Sequence, residues 1–160
     1  MSTWEPTDVD VDPFRVDPFR TVCAFVDAIV WGEHHLIWEL FGPDAREHAL
    51  AAAGRKGMDA VAVARARQGT WGVEEADTFL SALVRGLRVD LSGTDLDSIH
   101  AVDAAEVRAD GSVRYRLECA TLLPPEITRG ADWAAGAVVV HEVDGRWRVR
   151  LLEPRPPAGP

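Results

Sequence analysis

Two different periods divide this chain. From Pro18 to about Leu87 apolar residues recur every three or four positions, the spacing of a helical face; beyond Leu87 they recur every second position, the spacing of a pleated strand. Phe19, Val22, Cys23, Val26, Ile29 and Val30 form one amphipathic helix. Asp17 suits its N-cap and Pro18 its first helical position, where a missing N–H costs nothing. A second helix is predicted over 33–41 and stops at Gly42-Pro43. Asp44 opens a third, over 45–53, which ends in the Gly54-Arg55-Lys56-Gly57 punctuation, and residues 58–68 form a fourth. The fifth follows Gly72, with Glu74 and Glu75 at the positive end of its dipole. Its apolar stripe is Ala76, Phe79, Leu80, Leu83, Val84 and Leu87.

Alternation then predicts strands over 87–91, 99–107, 113–123, 137–143 and 146–152. Asp110-Gly111 and Asp144-Gly145 are turn pairs for tight hairpins, which need positive φ. The connection over 124–135 is longer and contains Pro124-Pro125 and Trp133. Helices first and an antiparallel sheet afterwards make an α+β domain, with N-terminal helices packed against a curved antiparallel β-sheet. The reading divides the chain into an acidic disordered tail (1–16), one domain (17–152) and a Pro-rich C-terminal tail (153–160). Residues 11–15, Val-Asp-Pro-Phe-Arg, repeat at once as 16–20; a slipped-strand duplication and a tandem binding motif both account for this.

A chain of 160 residues that is 47% hydrophobic and 27% charged holds one self-sufficient core. The net charge of −9, from 26 acidic against 17 basic residues, repels phosphate backbones, so no nucleic-acid partner is expected. The first dozen residues are acidic and polar, and no apolar run approaches the roughly 20 residues that span a bilayer. The expectation is a soluble, cytoplasmic protein without a membrane partner, in which Cys23 and Cys119 stay unpaired.

The closing segment, from Val138 through His141, the Asp144-Gly145 turn and Arg146-Trp147-Arg148-Val149, resembles the end of NTF2-like (cystatin-like, ketosteroid-isomerase-like) proteins. The order of elements over 18–152 is similar to theirs, although 43–87 reads as almost wholly helical where that family usually has a short strand. The resemblance implies a cone of sheet around the helices, a cavity at its open end for a small apolar molecule, and a homodimer through the outer sheet face. A shared fold does not choose among binders, isomerases and dehydratases.

The densest chemistry lies in residues 31–40. On a helix, Trp31, His34 or His35, and Trp38 share a face, two aromatics flanking an imidazole suited to proton transfer near neutral pH. Packing of the same residues in a core, with rim histidines, remains the alternative. His35 and Glu39 are spaced for a metal, with Glu33, His34, His48 and His141 as further donors, but no converging set is evident, and neither a metal nor a cofactor is assigned. On the strand over 113–123, Val113, Tyr115, Leu117 and Cys119 share one face. By the family's example, the Tyr115 hydroxyl would donate to a substrate carbonyl while Asp103 or a histidine moves the proton. Core roles for Tyr115 and His141 and a bulge position for Asp103 stand beside that reading.

The candidate site is therefore His35, Tyr115 and Asp103 as catalytic groups, with Trp31, His34, Trp38, Trp133 and His141 around the ligand. The expected function is binding of a small apolar ligand in an apolar pocket, with acid/base chemistry on a carbonyl compound left open. The alternative is a non-catalytic dimeric interaction module. Arg146, Arg148 and Arg150 alternate along the last strand, within reach of Glu118 or Glu142 across strands, a pattern that more often marks a solvated or dimer-forming sheet face than an anion site.

Overall fold

The computed structural model describes residues 12–91, 96–119 and 133–154, with 133 and 134 described as backbone alone. Its helices are α1 (Pro13–Val16), α2 (Pro18–Trp31), α3 (His34–Leu40), α4 (Pro43–Arg55), α5 (Ala60–Gln68) and α6 (Val73–Asp90). Its strands are β1 (His100–Ala101), β2 (Glu106–Val107), β3 (Val113–Cys119), β4 (Trp133–Val143) and β5 (Arg146–Pro154). They form an open, curved antiparallel sheet in the order β1-β3-β4-β5, with β2 also paired to β3. The α+β architecture is thus as the change of period predicts.

Both copies of the repeated segment start a helix. The Asp12 carboxylate accepts from the Phe14 N–H at 3.1 Å and the Asp17 carboxylate from the Phe19 N–H at 2.9 Å, each with proline next in line. Residues 12–16, assigned from sequence to the tail, belong to the fold. Phe14 packs on the core, and Arg146 stacks over its ring at 5.5 Å while pairing with Asp12 at 2.8 Å. At the other end β5 runs to Pro154, so Glu153 is also structural, while 1–11 and 155–160 lie outside the described residues.

Two predicted strands are corrected. Residues 87–90 continue α6, because Leu87 and Leu91 are also four apart and share a helical face, 7% and 1% exposed; Val89, which a strand would bury with them, is 68% exposed. The helix also carries Arg88 to the end of α2, where it donates to the carbonyls of Ile29 and Val30, both at 3.0 Å, and satisfies acceptors that a helix terminus leaves open. The strand over 99–107 is broken. Ala101 pairs with Leu117 and Glu106 with Arg114, so residues 102–105 stand opposite only 115 and 116 and bulge outward. The end of the third predicted strand, 120–123, and most of the connection after it lie outside the described residues.

The main core lies between α2 and the inner sheet face. Val22, Phe25, Val26 and Ile29 of α2 meet Val113, Tyr115, Leu117 and Cys119 of β3 and Val138, Val140 and Val149 beyond it. Buried Thr21 fastens the helix by donating to the Trp147 carbonyl at 3.1 Å. The Asp144-Gly145 hairpin has φ of 52° and 78°, the positive pair that a two-residue turn with matching twist requires. On the outer face Ala137 and Val139 lie buried, and around them Glu153 receives Arg114 and Arg108, both at 2.9 Å.

The arginines of β5 do not pair as alternation suggests. A register shift sets Val139 opposite Leu151 and Val140 opposite Val149, which leaves Arg150 in a bulge. Arg150 bonds Asp110 at 2.7 Å and approaches Asp44 at 3.4 Å, Arg146 meets Asp12, and Arg148 donates to the Glu39 carbonyl. Among the described residues no helix is long and apolar enough to cross a membrane.

Candidate functional site

A cleft of about 810 Å³ opens between α4, α6 and the outer half of β5, with Met58 and Ala62 closing it near α5. Its origin is readable in side-chain size. Helix α4 turns Ala45, Ala49, Ala52 and Ala53 toward it, positions that fall on one helical face. Across the gap α6 offers Thr78, Ala82 and Gly86, again a run at four-residue spacing of small groups. Neither helix can reach the other with such short side chains, and the space stays open. Phe41, Phe79, Leu83, Leu87 and Val149 supply its apolar walls.

Charged residues of both signs edge the cleft. Glu75 is held by Arg65 at 2.6 Å, and that hydrogen bond keeps its carboxyl below the ordinary range. Arg150 is held by Asp110, whose carboxyl is driven strongly downward by the Ser112 hydroxyl at 2.6 Å, the Ser112 N–H and Arg150. His48, Lys56, Glu74 and Asp90 complete the edge and are exposed. An apolar interior with a few polar groups at its mouth is how small-molecule sites are commonly built, and the volume falls in their usual range of about 300–1,000 Å³.

The candidate residues read from sequence do not gather around this cleft. Trp38 comes nearest: it packs on Phe41 at 6.2 Å and edge-on to Phe79 at 5.5 Å, one layer behind the wall, with Trp71 and the Arg46 guanidinium against it. Trp31 sits at the last position of α2 and is 78% exposed, because Gly32 turns the chain with φ of 73° before the next helix starts. The shared face of Trp31 and Trp38 required one continuous helix, which this glycine divides.

Tyr115 is 3% exposed on the inner face of β3, its ring 5.4 Å from Phe19 in the main core. Burial, with the nearby Asp17 and Asp103 carboxylates, pushes its hydroxyl up, so it is a weaker acid than usual. Asp103 is close enough to act on it but stands exposed in the bulge, where solvent takes the place of the apolar surroundings expected for a base. His141 is half-buried beside Gly42; an added Cβ there would lie 2.6 Å from its Nε2, which has no hydrogen-bond partner among the described residues. Burial holds the His141 imidazole below its ordinary pKa. The side chain of Trp133 lies outside the described residues.

His34 and His35 do come together, around a residue the sequence reading did not include. Both Nε2 atoms approach one Asp77 carboxylate oxygen, at 3.3 and 2.7 Å, with the two rings 4.5 Å apart. These bonds, that of His35 foremost, hold the Asp77 carboxyl below its ordinary range. None of the family models, curated proteins or solved structures compared with the chain matches it.

Proposed function

We propose that this protein binds a small, mostly apolar molecule in the cleft between α4, α6 and β5, and that its domain is of the NTF2-like kind. The observation that carries the reading is the cleft itself: about 810 Å³ walled by alanines, a glycine, Thr78 and apolar side chains, with charged groups at its edge. The helices-first order, the curved open sheet and the closing hairpin across Asp144-Gly145 support the NTF2-like affiliation. The catalytic residues expected from the family stand apart from this cleft, so the reading is one of binding.

Gly86 supplies the test. It lines the cleft within α6, and a Cβ added to it meets nothing within 4 Å among the described residues. Replacing a glycine inside a helix by leucine favours the helix, while the new side chain occupies the cleft. Titration of the full chain with an apolar fluorophore such as anilinonaphthalene sulfonate is therefore expected to show one saturable site that Gly86→Leu and Ala49→Trp abolish, with the melting temperature of Gly86→Leu unchanged or raised. Undiminished binding by both folded variants would show that the cleft is not the site.

A further inference from the structure

We infer that His34, His35 and Asp77 form a binding site for a divalent transition-metal ion of the zinc class, clamping the start of α3 to α6. The three donor atoms, two imidazole Nε2 and one carboxylate oxygen, lie within 4.8 Å of one another. Ligands at about 2.0–2.1 Å around a tetrahedral ion stand about 3.3 Å apart, so the 3.3 Å between His34 and Asp77 already has the right span. The 2.7 Å between His35 and Asp77 must open by roughly half an ångström, a small rotation for an exposed side chain. Two imidazoles and a carboxylate suit zinc, nickel or copper, and not the all-oxygen preference of magnesium or calcium.

The surroundings of His34 supply a second, independent reason. Its Nδ1 lies 3.4 Å from the Gly32 carbonyl oxygen, while its Nε2 lies 3.3 Å from the Asp77 carboxylate. Both ring nitrogens thus face acceptors, and a neutral imidazole carries only one N–H. With its one N–H on Nδ1, the ring turns the Nε2 lone pair toward Asp77, the place a metal ion between them would occupy. With a metal the arrangement becomes ordinary: Nδ1–H donates to a backbone carbonyl, one of the usual partners of a metal-bound histidine, and Nε2 presents its lone pair. Gly32 places that carbonyl by adopting the left-handed conformation between α2 and α3, so the same turn that separates Trp31 from Trp38 orients the ligand. The exposed side of His35 leaves the remaining coordination positions to water.

Glu39, which the four-residue spacing offered as a partner for His35, is not among the converging donors. His48 and His100, away from this group, serve as controls. The experiment is a zinc titration of the full, tag-free chain by calorimetry, followed by cobalt substitution read in the visible spectrum. One ion per chain is expected, with a rise in melting temperature and cobalt d–d bands. Asp77→Asn and His35→Ala are expected to weaken binding at least tenfold, while His48→Ala and His100→Ala bind as the parent does. In the unmodified protein, zinc should move the Nε2 ¹⁵N resonances of His34 and His35 and spare those of His48, which keeps the test valid if a variant fails to fold. Absence of binding at about 1 mM zinc, or binding that survives Asp77→Asn and is lost in a control variant, overturns the inference.

Discussion

The two halves of this molecule fill space in opposite ways. Between α2 and the sheet, large and branched side chains interlock: Phe25, Ile29, Leu117, Val138, Val140 and Val149 are each no more than 1% exposed. In the helical half, a smaller cluster of Leu50, Val63, Ala66, Phe79 and Leu80 leans on half-buried Trp38, Trp71 and Met58. Its outer helix is tied by exposed ion pairs, Arg65–Glu75 and Arg67–Glu47, both at 2.6 Å. Interlocked cores tolerate no vacancy; the helical half leaves one of about 810 Å³. Stability is concentrated where the chain uses volume, and room for a ligand exists where it uses alanine.

Substitutions should separate the halves sharply. Phe25→Ala removes a fully buried ring from the main core and is expected to cost about 3–5 kcal/mol, read by denaturant unfolding. Met58→Ala, beside the cleft, should cost well under half as much, and an equal loss would erase the distinction between the halves. Gly42→Ala drives a Cβ to 2.6 Å from the His141 ring and is expected to cost about 1–3 kcal/mol. Most of that cost should vanish in a His141→Ala background, since the clash is with that side chain. Gly86→Leu works in the other direction, gaining about 0.5–1 kcal/mol while the fluorophore site is lost.

The pH dependence sharpens the same contrast. The folded pKa of His141 is depressed by burial, so the unfolded chain takes up the proton first as pH falls. Its contribution is therefore fully present above its unfolded pKa, near 6.5, and is lost as pH falls below that value toward the folded one. Denaturation at pH 7.5 and 5.5 should show a decline that His141→Gln flattens. The smallest effect belongs to the helical surface: Arg67→Ala breaks an exposed pair with Glu47 and should leave the melting temperature unchanged within error at physiological salt.

What the sequence made legible follows from how local each determinant is. The change of period from three-and-four to two located the helices and the sheet, and Asp144-Gly145 located the closing turn, because those signals are complete within a few residues. Leu87 to Leu91 was ambiguous in kind, since leucines four apart fit either period, and only the reach of Arg88 to the end of α2 shows what a helix gains there. The candidate site was harder to read. Asp77 joins His34 and His35 across more than forty residues, a distance that no spacing rule covers. Trp31 and Trp38 were separated by one glycine turn. The cleft announced itself only negatively, as alanines four apart on one predicted helix and a glycine on another, small residues whose meaning depends on their facing each other.

The repeated Val-Asp-Pro-Phe-Arg segment has a consequence for how such a chain varies over generations. Each copy carries its own start: an aspartate to receive the first N–H, a proline already bent for the helix, a phenylalanine to rest on the core and an arginine that reaches back to its aspartate at 3.8 or 4.0 Å. A copying slip of this length therefore adds or removes a finished part, leaving the phase of everything downstream undisturbed. Loss of the first copy would forfeit the contacts of Asp12 and Phe14 with Arg146 while α2 kept its own cap. Here the unit that replication can duplicate coincides with a unit that folding can use.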